Sequence, residues 1–149
     1  MAVNKKVPKD VIIIDDDKKV CDVLEMYCEN LGCFRNIIVA NDGSIASKKL
    51  TNQIFGLILL DVNMPRKTGI DILKEFKDSH PNNIENVILV SGELDKHVIT
   101  AAMKQGCKQY LVKPFSAKAP SSKGFTRYCL QPCFMAAVMT CLSNSPETK

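Results

Sequence analysis

Four apolar runs along the chain each end in a polar residue. Val11-Ile12-Ile13-Ile14 ends in Asp15-Asp16-Asp17, and Gly56-Leu57-Ile58-Leu59-Leu60 ends in Asp61. Val87-Ile88-Leu89-Val90 ends in Ser91, and Tyr110-Leu111-Val112 ends in Lys113-Pro114. Between the runs, apolar residues recur at helical spacing. Val20, Val23, Leu24, Tyr27 and Leu31 form one stripe, stopped by Gly32. A short strand is expected over Asn36 to Ala40, then an Asp42-Gly43 turn and a helix carrying Ile45, Ala46, Lys49 and Leu50. Gly69 opens a third helix with Ile72, Leu73 and Phe76 on one face, and a fourth runs from about Leu94 to Gln105 before Gly106. The last strand is Gln109 to Val112.

This is a repeated βα pattern. Its strands are continuously apolar rather than alternating, as parallel strands covered on both faces require. The expectation is an α/β, flavodoxin-like doubly wound sheet of five parallel strands in the order 2-1-3-4-5. In such a sheet ligands bind outside the C-terminal ends of the strands, where the four polar endings should gather.

The pattern fails after Phe115. Ala119-Pro120-Ser121-Ser122-Lys123-Gly124 is a helix-breaking composition where a fifth helix should begin. Residues 1–115 are therefore read as one domain and 116–149 as an atypical tail, altered by frameshift or truncation or partly disordered. Within it, Cys129 to Leu142 could form a makeshift helix with Phe134, Val138 and Leu142 facing the sheet.

Composition narrows the function classes. The 149 residues suit one domain with a real core, and 46% hydrophobic with 24% charged residues is ordinary for a soluble globular protein. The formal net charge of +4 is uneven. Lys118, Lys123, Arg127 and Lys149 face Glu147 alone in the tail, so the rest of the chain is nearly neutral. Nothing resembles a nucleic-acid-binding face. No signal peptide or membrane-length apolar stretch is seen, so no membrane association is expected. The seven cysteines show no paired metal spacing, and Cys21 and Cys28 are expected to pack as small hydrophobes. A cytoplasmic protein with reduced thiols is the expectation.

Asp15, Asp16 and Asp61 would repel one another unless a cation sat among them, and few protein oxygens plus water suit Mg²⁺. Asp61 is placed to attack phosphorus and form an aspartyl phosphate. Lys113 and the metal would offset charge on the transferring group, and Ser91 could donate to a phosphate oxygen.

From Val11 to Phe115 the chain resembles the receiver domain of two-component response regulators, with similarity to the chemotaxis-type single-domain receivers. The resemblance rests on Ile14-Asp15-Asp16-Asp17, Leu60-Asp61-Val62-Asn63-Met64-Pro65 followed by Gly69, Val90-Ser91-Gly92, and Lys113-Pro114-Phe115, in order and at the family's intervals. It implies that Asp61 accepts phosphate from a histidine kinase or phosphotransfer protein. It also implies that Asp16 binds Mg²⁺ directly, that Asp15 acts mainly through water, and that Asn63 lends its backbone carbonyl. Lys113 would pair with the acceptor, Ser91 would be the switch hydroxyl, and Tyr110 the aromatic that turns with activation toward a downstream protein target. Asn63 and Glu93, two residues beyond Asp61 and Ser91, would tune dephosphorylation and give a phosphate lasting seconds to minutes. The departure from the family pattern is the unrecognisable fifth helix.

Other classes fit less well. A silent, non-phosphorylated interaction scaffold should have lost Asp16, Asp61 or Lys113, and all three are present. An aspartyl-nucleophile phosphohydrolase typically carries an acid/base Asp two residues after the nucleophile, where this chain has Asn63. A flavin-binding module needs a phosphate-cradling loop after the first strand, which three consecutive aspartates would oppose. The tail shows no helix-turn-helix pattern, so no direct contact with nucleic acid is expected. The makeshift-helix reading is tested by deleting residues 117–149. The melting temperature should fall, or the protein should associate; a soluble monomer melting as the full chain does would show that the tail adds nothing to the fold.

Overall fold

The computed structural model describes residues 9–77, 80–91, 96–107 and 109–112. Five parallel strands, β1 (Lys9–Ile14), β2 (Phe34–Ala40), β3 (Leu57–Asp61), β4 (Val87–Ser91) and β5 (Gln109–Val112), form one sheet in the order β2-β1-β3-β4-β5. The crossovers are α1 (Lys18–Leu31), α2 (Gly43–Asn52), α3 (Gly69–Lys74) and α4 (Lys96–Lys104), with short 3₁₀ turns at Glu75–Lys77 and Ile84–Asn86. The expected fold class and strand order are those observed. The described part of the fourth helix is Lys96–Lys104; its expected start at Leu94 and the expected Cys129–Leu142 helix lie outside the described residues.

Local chemistry sets the helix ends. The Asp17 carboxylate accepts from the Lys19 N–H and caps α1, which ends where Gly32 adopts a left-handed φ of 63°. Asp42 caps α2 by accepting from the N–H groups of Ser44 and Ile45. Thr68 and Asp71 form a reciprocal capping box on α3.

The continuous apolar strands sort their residues by parity. Ile12, Ile14, Ile58, Leu60 and Leu89 face a core shared with Ala46, Leu50, Ile72, Leu73 and Ala102 of α2, α3 and α4. Val11, Ile13, Leu57, Leu59, Ile88 and Val90 face the other side, against Cys21, Leu24 and Cys28 of α1. Because side chains alternate along a strand, every position from Asp10 to Ile14 and from Leu57 to Asp61 is buried on one face or the other. Burying each large side chain contributes about 1.5–3 kcal/mol. Cys21 and Cys28 pack in the core as expected, whereas Ile45, read as part of a helix face, is 51% exposed.

At the N-terminal edge the core encloses a charge. The β1–β2 register shifts between Lys9 and Val11, because Lys9 pairs with Phe34 and Val11 with Ile37. The extra β2 residue sets both Arg35 and Asn36 opposite Asp10. Asp10 is buried and accepts from Arg35 Nε (3.0 Å) and Nη2 (2.9 Å), Asn36 Nδ2 (3.2 Å) and Gln53 Nε2 (2.6 Å). The Arg35 bond, offset by burial and helped by Asn36 and Gln53, holds this carboxyl below its ordinary value of 3.8. A lowered carboxyl stabilises the fold above its unfolded-state value, and that stability is lost as pH falls through the lowered one. Asp10→Asn, which cannot pair with the guanidinium, should cost about 2 kcal/mol at neutral pH. In urea denaturation followed by circular dichroism, the gap between variant and wild type should narrow as pH falls below 3.8.

Candidate metal and phosphoryl site

Parallel register carries three loop starts to one edge. Ile14 pairs with Leu60 on one side and Ala40 on the other, so Asp15 emerges from β1 beside Asp61 at the end of β3. Asp61 pairs with Val90, and Ser91 pairs with Val112. The backbone therefore brings the end of β4 and the last described residue of β5 to the same edge. Ligand oxygens of Asp15, Asp16 and Asp61 lie within 4.8 Å of one another. Asp15 and Asp61 are buried, at 1% and 2% exposure, and Asp16 is open to solvent.

The loops holding these carboxylates are tightly bonded. The Asp15 N–H donates to Ala40 O (3.2 Å), and the Asp17 N–H donates to Asp15 Oδ1 (2.8 Å). The Asn63 N–H donates to Asp61 Oδ1 (3.3 Å), and the Val62 N–H to Val90 O (3.3 Å). Asp17, grouped with the other two aspartates in the sequence, turns away to cap α1.

A pair of unit charges about 4 Å apart repels by about 4 kcal/mol at an effective dielectric of 20. Three carboxylates held at the end of a buried sheet are thus a donor set that a small divalent cation relieves. All are hard oxygen donors, which fit Mg²⁺ and not a soft metal. Among the described residues, the buried Asp15 and Asp61 meet the exposed Asp16, so the cluster reaches the surface on the Asp16 side.

The structure brings together Asp15, Asp16 and Asp61 of the predicted set. Asn63, two residues beyond Asp61, is exposed, and its backbone N–H donates to the Asp61 carboxylate. Ser91 ends β4, but its side chain lies outside the described residues, as do Lys113 and Glu93. Tyr110 sits on β5, 42% exposed. Three contributors had no signal in the sequence. Asn41 and Cys21 both donate to the Asp15 carbonyl, at 3.1 and 3.3 Å. The third is the close approach of Gly69, read from the sequence as a helix opener and as part of the family motif, but not as a backbone contact. A Cβ there would lie 2.3 Å from Asp61 O and 3.0 Å from the Val62 Cα.

A parallel sheet in this order with an acidic cluster at its C-terminal edge defines a CheY-like α/β module. The family model of the response regulator receiver domain matches residues 11–120, and the chain belongs to that family. It is 36% identical over 106 residues to the transcriptional regulatory protein CpxR of Escherichia coli K12, covering 71% of this chain and 43% of the relative. It is 31% identical over 105 residues to the transcriptional regulatory protein ZraR of Klebsiella oxytoca, covering 70% and 23% respectively. The chain thus spans less than half the length of these curated relatives. Among solved structures, a Francisella response regulator receiver domain superposes with a TM-score of 0.69 at 25% identity, covering 92% of this chain and 99% of that one. A CheY-like receiver domain protein from Methanospirillum hungatei gives 0.65 at 23% identity, covering 74% and 86%. Among the described residues, no helix is long and apolar enough to cross a membrane.

The approach at Gly69 yields a test. Gly69→Ala must push the α3 start away from the acceptor strand, an overpacking cost of about 2–3 kcal/mol. Urea denaturation should show that loss, and a variant as stable as wild type would contradict the geometry.

Proposed function

We propose that this protein is a phosphorylatable signalling switch. Asp61 accepts a phosphoryl group from a histidine kinase or phosphotransfer protein, and the change alters a surface read by a downstream protein. The observation that carries this reading is the convergence of Asp15, Asp16 and Asp61, oxygen to oxygen within 4.8 Å, at the open edge of the sheet. Asp15, Asp16, Asp61 and the Asn63 backbone carbonyl would hold Mg²⁺, whose charge would offset that of the transferring phosphoryl oxygens.

In the transfer itself, an Asp61 carboxylate oxygen forms a bond to phosphorus as the donor's phosphorus–nitrogen bond breaks, leaving a neutral histidine on the donor once its nitrogen is protonated as needed. The Asn63 N–H on Asp61 Oδ1 orients the carboxylate for attack. Lys113, next after β5, would neutralise the acyl phosphate, and Ser91, at the end of β4, would donate to a phosphate oxygen. Tyr110 would then turn inward from its exposed position on β5, with α4 and β5 as the surface that changes. Asn63 and Glu93 would set how readily water attacks the product. The protein would catalyse only its own phosphorylation and dephosphorylation.

The scaffold reading leaves the buried pair Asp15 and Asp61 without a purpose. The phosphohydrolase reading needs an acid at Asn63, whose amide cannot transfer a proton at neutral pH.

Incubation with acetyl phosphate and Mg²⁺ should add one phosphoryl mass to the intact protein. Asp61→Asn and chelation of Mg²⁺ should each abolish the gain, whereas Asp42→Asn, changing the α2 cap, should leave it. Labelling of Asp61→Asn equal to wild type would refute the assignment.

A further inference from the structure

We infer that Asn41 and Cys21 are positioning residues for the metal-binding loop, acting through the Asp15 carbonyl; the inference rests on the Mg²⁺ reading above. At the end of β1 the Asp15 N–H still follows the sheet, donating to Ala40 O (3.2 Å). The chain then turns into Asp16 and Asp17, and the Asp15 carbonyl leaves the strand ladder. Two side chains meet that oxygen: Asn41 Nδ2 at 3.1 Å, from the residue after β2, and Cys21 Sγ at 3.3 Å, from the first turns of α1. They also touch each other, with Asn41 Nδ2 at 3.6 Å from Cys21 Sγ. One carbonyl thus ties together the ends of β1 and β2 and the start of α1.

The peptide that carries this oxygen joins Asp15 to Asp16. Holding its plane fixes the direction in which both residues leave the backbone, and so where two of the three carboxylates point. The Asp15 carboxylate is held separately by the Asp17 N–H at 2.8 Å. Without its two donors, the Asp15–Asp16 peptide could rotate, and Asp16, the exposed carboxylate, would lose its fixed direction toward Asp61. The thiol is buried and is a weak donor, while the amide is the stronger of the two. Such supporting contacts to a metal site commonly change metal affinity by about 10–100-fold.

The test is the Mg²⁺ dissociation constant of the full chain by isothermal titration calorimetry. Asn41→Ala and Cys21→Val, which fills the same space with no donor, should each raise it by about tenfold. Cys21→Ser, which keeps a donor, should stay near wild type. Amide hydrogen exchange of Asp16 and Asp17 in Mg²⁺-free Asn41→Ala should be faster than in wild type. A merely structural role would lower the metal-free melting temperature without moving the dissociation constant. Unchanged Mg²⁺ affinity in both Asn41→Ala and Cys21→Val, with wild type binding normally, would overturn the inference alone. Wild-type protein with no Mg²⁺ affinity would overturn the inference and the metal reading together. Should Cys21→Val fail to fold, Asn41→Ala at its exposed position carries the same test.

Discussion

The mutual repulsion of three carboxylates is the constraint around which the rest of the molecule is arranged. Asp15, Asp16 and Asp61 are held with their oxygens within 4.8 Å of one another, a placement that costs stability unless a cation offsets it. A flexible surface would let them drift apart. Here two of them are buried at the ends of adjacent strands, and backbone N–H groups from Asp17 and Asn63 fix their orientation. The stability of the two-sided core is what allows the edge to remain strained in this electrostatic sense.

The two ends of the sheet treat charge in opposite ways. At the N-terminal edge Asp10 is met by four donors from Arg35, Asn36 and Gln53, gathered by a one-residue irregularity in the β1–β2 register. That carboxylate is satisfied from within the fold and serves structure. At the C-terminal edge three carboxylates face one another, with ligand oxygens within 4.8 Å. The same residue type thus ties the fold together at one end of β1, at Asp10, and joins a cluster of carboxylates at the other, five residues on at Asp15.

Close backbone approach joins the site to its surroundings. Gly69 lets α3 start directly against the Asp61 carbonyl, and its N–H bonds Val62 O at 3.1 Å. Asn41 and Cys21 brace the opposite loop through the Asp15 carbonyl. Movement of either loop would therefore be felt at the carboxylates. This coupling is what a switch driven by a single phosphoryl group requires, since it must bias two arrangements of a packed structure rather than deform one.

Strand identity, strand order and the acidic edge were legible in the sequence alone. Continuous apolar runs can be buried on both faces only in a covered parallel sheet, and Asp61, Asp15 and Asp16 stand at run ends where such a sheet places its ligands. The helix stop at Gly32 was equally readable, because its role depends on neighbours within a few positions, whereas Asp42, read as a turn residue, also caps α2. Tertiary structure decided the rest. The register shift that gathers Arg35 and Asn36 on Asp10, the turning of Asp17 out of the acidic cluster and the exposure of Ile45 depend on how elements meet. So do the contacts of Asn41 and Cys21 with the Asp15 carbonyl. Each pairs residues far apart in sequence or chooses between two local roles, and a pattern of polar and apolar positions carries no information on which loop will lie beside which.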